Sequence, residues 1–181
     1  MYYIYKFFFY QLGWKISGDV PRDLKKYIIV VAPHSSNWDF MLGLSLRSIM
    51  KFPSNFLGKK ELFVGPFGWL FRKLGGYPVD RKHHTNIVDQ VAEIFNKEKQ
   101  FVIAIAPEGT RKKVSKWKTG FYHISVKANV PIVMVALDYE HKTVIWAPPF
   151  IPIGKFEEDV KVIEKFFVGI KGKNREVMPI V

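Results

Sequence analysis

His34 and Asp39 are an imidazole and a carboxylate five positions apart, set between an apolar run ending at Ala32 and a helical stretch beginning near Trp38. On one regular helix they would face about 140° apart, so they meet only if the chain turns between them. Pro33 and Ser35-Ser36-Asn37 supply a loop-to-helix turn. Asp39 would then accept from one ring nitrogen of His34, fixing the tautomer and leaving the other nitrogen as a general base. A histidine satisfied by a helix-capping carboxylate has the same spacing, and spacing alone does not choose between the two.

A second polar cluster, Pro107-Glu108-Gly109-Thr110-Arg111, also follows an apolar run. It sets a carboxylate beside a flexible backbone, a hydroxyl and a guanidinium, and Arg111 has the paired donors that grip a phosphate. Lys112, Lys113, Lys116 and Lys118 extend the basic stretch, as an anion site or as a solvated face. No nucleophile motif accompanies these groups. The chain has 0 Cys, and Gly43-Leu44-Ser45-Leu46-Arg47 lacks the second glycine of a nucleophile elbow. The His34–Asp39 pair is therefore suited to activating a substrate hydroxyl directly.

The elements that must position these groups alternate. Buried strands are expected at Lys25–Ala32 and Phe101–Ala106, another strand at Val130–Leu137, and short ones at Asn55–Lys60 and in Gly75–Arg81. Helices are expected over Trp38–Met50, Gly65–Leu74, Thr85–Lys99, Phe121–Ala128 and, weakly, Val160–Val168; Ser36 or Asn37 would cap the first. Thr143–Ala147 and Pro148–Ile153 read as edge segments. This order predicts an α/β fold: a mostly parallel or mixed central sheet flanked by helices, with ligands beyond the carboxyl ends of strands.

The 181 residues make about one domain. Lys+Arg number 28 against 16 Asp+Glu, a net charge of +12, which attracts nucleic acid, anionic lipid head groups, phosphorylated substrates or acidic carriers alike. Without cysteine there is no disulfide framework and no Cys-ligated zinc. Residues 1–20 form an aromatic segment, expected to lie at a membrane–water interface or to pack on the core, ahead of a catalytic domain over 21–181. Its apolar stretch is shorter than the roughly 20 residues a spanning helix needs, and it lacks the basic start and cleavage site of a signal peptide.

Four ordered blocks carry a resemblance. They are His34-x4-Asp39; Gly58-Lys59-Lys60-Glu61-Leu62 running through Gly65-Pro66-Phe67-Gly68 to Gly76-Tyr77-Pro78-Val79-Asp80-Arg81; Pro107–Arg111; and Val130-Pro131-Ile132-Val133. Over roughly residues 27–140 the chain resembles the glycerolipid (lysophospholipid) acyltransferase family. The resemblance implies a glycerol-3-phosphate acyltransferase-like fold and transfer of a fatty acyl group from acyl-CoA or acyl carrier protein to a hydroxyl of a lysophospholipid such as 1-acyl-glycerol-3-phosphate. His34 would be the base and Asp39 its orienter. Lys60, Arg81, Glu108, Gly109, Thr110 and Arg111 would hold the acceptor's phosphate or head group, and Pro131 would shape the acyl site. No cofactor is implied beyond the acyl donor. Two departures, Pro33 where the family often has Asn and Ala106 where it usually has an aromatic, bear on which acceptor is used.

His83-His84 could point to a metal, but adjacent imidazoles diverge and no third ligand is evident, so no metal is expected. Phe67, Trp69 and Phe71 could line an acyl groove, touch lipid or pack in the core. The expected setting is peripheral or monotopic association with an anionic membrane surface on the cytoplasmic face. Acylation of an aminolipid or glycolipid is the alternative within enzymes. A basic nucleic-acid-binding module, or a lipid-binding protein without catalysis, is the alternative from another class; the first predicts steeply salt-dependent binding and leaves both polar clusters unexplained, so nucleic acid is not the expected partner.

Overall fold

Tyr27–Ala32 and Ile132–Leu137 are β-branched runs without a polar alternation, which is what a strand covered on both faces requires. They form the middle of one mixed sheet in the computed structural model, which describes residues 2–80, 86–112 and 114–174. In chain order the elements are α1 (Tyr2–Gln11), β1 (Lys15–Ser17), β2 (Lys26–Ala32), α2 (Trp38–Met50) and β3 (Asn55–Lys59). A 3-10 turn (Lys60–Phe63), α3 (Gly68–Lys73), β4 (Gly76–Val79), α4 (Ile87–Lys97) and β5 (Phe101–Ile105) follow. The chain continues through α5 (Gly120–Ala128), β6 (Ile132–Asp138), β7 (Thr143–Trp146) and α6 (Phe156–Phe167).

Among the described residues the sheet has 7 strands in the order β1-β7-β6-β2-β5-β3-β4. Every neighbouring pair is parallel except β6 with β7. The expected α/β architecture is therefore the observed one. Alternate residues of each central strand face opposite layers. Ile28, Val30, Ile103, Ile132 and Met134 pack with Val91, Phe95, Phe121 and Ile163 of α4, α5 and α6. Tyr27, Ile29, Val102, Val133 and Val135 pack with Phe9 of α1 and Leu42, Leu46 and Met50 of α2.

The register decides where the chemistry falls. Val30 of β2 pairs with Ile105 of β5, and Ala32 pairs with Ala136 of β6. Three adjacent parallel strands thus end together, and the segments after them, beginning at Pro33, Ala106 and Tyr139, emerge side by side.

Some expectations need adjustment. Pro148–Ile153 contributes only an isolated bridge between Phe150 and Ile132. The last helix begins at Phe156, ahead of Val160, because Glu157, Glu158 and Asp159 occupy its first turn, where the helix dipole favours carboxylates. Lys15–Ser17, within the first twenty residues, is the outermost strand and pairs in parallel with β7. α1 buries only Phe9, beside Trp14, and leaves Tyr3, Ile4, Phe7, Phe8 and Tyr10 exposed.

Candidate active site

The turn after β2 does what the sequence spacing required. The Ser36 hydroxyl accepts from the Trp38 amide at 3.2 Å, and Asp39 Oδ2 accepts from the Ser36 amide at 2.8 Å. This reciprocal arrangement resembles a capping box and starts α2 with its first-turn carboxylate folded back over the loop. Asn37 stands at the cap position but makes no side-chain cap bond. With the loop closed, His34 Nδ1 lies 3.1 Å from Asp39 Oδ2. The Asp39 side chain is 2% exposed and that of His34 23%, so the carboxylate is buried while the imidazole reaches solvent.

Asp39 is also held from the far side. Tyr139, the residue after β6, donates its hydroxyl to Asp39 Oδ1 at 2.6 Å. The carboxylate therefore meets three groups: an imidazole nitrogen, a backbone amide and a phenol. Burial raises the Tyr139 pKa, and the hydrogen bond and charge of Asp39 raise it further, so the phenol stays a donor.

From β5, Glu108 crosses to the same loop, and its Oε1 accepts from the His34 backbone amide at 2.8 Å. Its Oε2 is buried without a hydrogen-bond partner among the described residues. Burial pushes the Glu108 carboxyl above the usual carboxylate range, partly opposed by the His34 amide hydrogen bond. Gly109 takes φ 64, left-handed backbone that favours glycine, and a Cβ there would stand 3.0 Å from Lys118 side-chain atoms. Thr110 and Arg111 are exposed.

His34, Asp39 and Arg111 share the wall of a cavity of about 370 Å³. It runs beneath α2 along Phe40, Leu44, Leu57 and Val135, so a basic and titratable mouth leads into an apolar interior. Lys60 is exposed in the 3-10 turn after β3 and does not line this cavity. Pro131 lies at the opposite, amino end of the sheet, where its carbonyl accepts from the Ile28 amide at 2.9 Å; from there it fixes strand pairing rather than the cavity wall. Arg81, His83 and His84 fall outside the described residues. Phe67 and Trp69 are exposed at α3, whereas Phe71 is half-buried against Phe63. Among the described residues no group of three His, Cys, Asp or Glu is placed to hold a metal ion.

Two contributors are absent from the sequence reading. One is Tyr139. The other is the segment after α6: the Lys173 amide donates to Ser35 Oγ at 3.1 Å, and the Asn174 side chain donates to the Ser35 carbonyl at 3.1 Å. A Cβ on Gly172 would stand 2.6 Å from Ser35 Oγ, so this segment lies directly on the His34 loop. The only signal for Tyr139 was its place just past a strand end.

A sequence model described as "Acyltransferase" matches residues 14–138, which contain both polar clusters and most of the sheet. The chain belongs to this acyltransferase family. Within the family it is similar to the 1-acyl-sn-glycerol-3-phosphate acyltransferase of Escherichia coli, at 32% identity over 133 residues, covering 69% of this chain and 53% of that protein. The protein of the same name from Haemophilus influenzae is 30% identical over 141 residues, covering 73% and 57%. The chain therefore spans about half the length of these relatives. The crystal structure of the 1-acyl-sn-glycerophosphate acyltransferase from Thermotoga maritima shares the acyltransferase fold, with a TM-score of 0.61 at 23% identity, over 91% of this chain and 74% of that one.

Proposed function

We propose that this chain is an O-acyltransferase that moves a fatty acyl group from acyl-CoA or acyl carrier protein to the free hydroxyl of a lysophospholipid such as 1-acyl-glycerol-3-phosphate. The observation that carries this reading is the His34–Asp39 pair, 3.1 Å apart, at the mouth of an apolar cavity whose wall also holds Arg111. The names of the similar proteins support the same substrate class.

With Asp39 engaging Nδ1, His34 presents Nε2 as the base. It takes the acceptor's hydroxyl proton as the oxygen attacks the thioester carbonyl, and a tetrahedral adduct forms. Collapse breaks the C–S bond, and the imidazolium returns the proton to the leaving thiolate. No acyl-enzyme is formed, in keeping with a site without a thiol. Arg111 meets the acceptor's phosphate with paired donors. Arg81 with Glu108, Gly109 and Thr110 completes the head-group site in this reading, and Lys60, outside the cavity wall, is a further cation for it. The cavity beneath α2 accommodates the donor's acyl chain.

The exposed aromatic rings of α1 support an interfacial role for residues 1–20, because aromatic rings with a polar edge favour the membrane–water interface. Among the described residues no helix is long and apolar enough to cross a membrane. The net charge of +12 favours the negative cytoplasmic leaflet, and we place the protein on that face.

The test is a mass-spectrometric screen of the purified protein against lysophosphatidate, lysophospholipids, aminolipids and glycolipids, with acyl-CoA and acyl carrier protein donors. The reading expects a new ester on lysophosphatidate. Turnover confined to an aminolipid or glycolipid would reassign the acceptor, and no turnover with any acceptor would sink the assignment.

A further inference from the structure

Direct transfer requires both substrates at His34 together, and each brings a fatty chain. The cavity beneath α2 accounts for one chain. A second apolar space, of about 690 Å³, lies on the other side of the same helix, between α1 and α2, within the range of small-ligand sites. We propose that this groove seats the fatty chain of the acceptor, a single-chain phosphate ester. This inference rests on the acyl-transfer reading above.

The sequence of α2 is built for two apolar surfaces. Trp38, Met41, Leu42 and Ser45 line the groove, spaced by three and four residues as one helical face requires. Phe40, Gly43, Leu44 and Arg47 line the cavity beneath the helix. Consecutive residues thus serve opposite sides, and α2 is a partition between two apolar spaces. From α1 and the turn after it, Ile4, Phe8 and Leu12 supply the facing wall at intervals of four. Tyr139 and Trp14, with ring centroids 4.9 Å apart, also line the groove.

Charge identifies the occupant. The charged side chains lining the groove are Lys142 and Lys173, with no carboxylate among the described lining residues. Lys142 Nζ donates to the Leu12 carbonyl at the end of α1. Lys173 Nζ stands 4.6 Å over the Trp38 ring, while its own amide is bonded to Ser35, the residue after His34. Lys173 beside the catalytic loop makes that end of the groove favourable to an anionic ligand whose phosphate reaches Arg111, with its chain running along Trp38, Met41 and Ser45. Tyr139 links the two compartments: its ring lines the groove, and its hydroxyl holds Asp39.

The experiment uses lysophosphatidate brominated on its chain, below its micelle concentration, as a quencher of tryptophan fluorescence. The expected result is saturable quenching that Trp38→Phe reduces and Ser45→Phe, which fills the groove, abolishes. In turnover assays Ser45→Phe should raise the KM for a long-chain acceptor about tenfold or more, as loss of several buried methylenes implies. The KM for a butyryl-chain acceptor and for the donor should stay unchanged. Met41→Trp is the second groove-filling variant, used if Ser45→Phe fails to fold.

Absence of quenching, or equal quenching by brominated diacyl lipid in vesicles, would overturn the proposal. So would a KM effect blind to acceptor chain length. Saturable quenching with no turnover of any lysolipid would instead leave the groove standing and remove the acyl-transfer reading. Turnover with a chain-blind Ser45→Phe would do the reverse.

Discussion

Tyr139 donates its hydroxyl to Asp39 Oδ1 at 2.6 Å although 100 residues separate the two in sequence. Parallel pairing of β2 with β6 brings them together, because both segments leave the sheet at the same edge. The Asp39 carboxylate is thus fixed from both sides before it meets His34.

Replacing Tyr139 by Phe keeps the ring contact with Trp14 and removes only the donor. A buried carboxylate oxygen left unpaired costs about 1–3 kcal/mol, so the melting temperature should fall. The turnover number should fall as well, with little change in either KM, since the variant disturbs the base and not the substrate contacts. Steady-state kinetics and thermal melts check both; unchanged kcat would show that Tyr139 does not support the pair.

Glu108 offers a test by pH. Its carboxyl is raised above the usual range by burial, so the folded protein binds this proton more tightly than the unfolded chain does. That contribution is fully present below the unfolded pKa, about 4.3, and is lost as pH rises through the folded value. Glu108→Gln keeps an acceptor for the His34 amide but carries no charge. The melting temperature of the variant relative to wild type should therefore improve on going from pH 4 to pH 7.5. A pH-independent difference would contradict the raised pKa.

Arg111→Ala should raise the KM for a phosphate-bearing acceptor by roughly ten- to a hundredfold, the scale of a hydrogen bond to a charged group. The donor KM should be little altered. An unchanged acceptor KM would move the phosphate site to other cations.

Gly43 lies inside α2, and nothing stands within 4 Å of a Cβ placed on it. Gly43→Ala should stabilise the protein by about 0.5–1 kcal/mol through helix propensity. Denaturant melts read this directly, and a loss of stability would show that the cavity side of α2 is tighter than described.

Much of the fold was legible because its signals are local. β2, β5 and β6 are continuous apolar runs bounded by polar or proline-containing segments, and α4 carries Val91, Ala92 and Phe95 on one buried face. The His34–Asp39 turn was legible for the same reason: five consecutive positions contain the whole device. Tyr139 and the Lys173 segment were not, because their roles depend on strand register and on where the chain returns after α6. β1 escaped notice because 3 residues of edge strand carry too little pattern to separate from a loop. Pro131 shows the opposite hazard: it belongs to the same ordered set of motif blocks as His34 yet stands at the far end of the sheet from it.

The central claim is that His34 is the base for acyl transfer to a lipid hydroxyl. Its most direct test is the rate at which His34→Ala moves a labelled acyl chain from thioester to 1-acyl-glycerol-3-phosphate, measured beside wild type with folding verified by circular dichroism. The predicted result is a loss of about 10²–10⁴-fold in a folded protein; a folded variant transferring the chain at close to the wild-type rate would contradict the account.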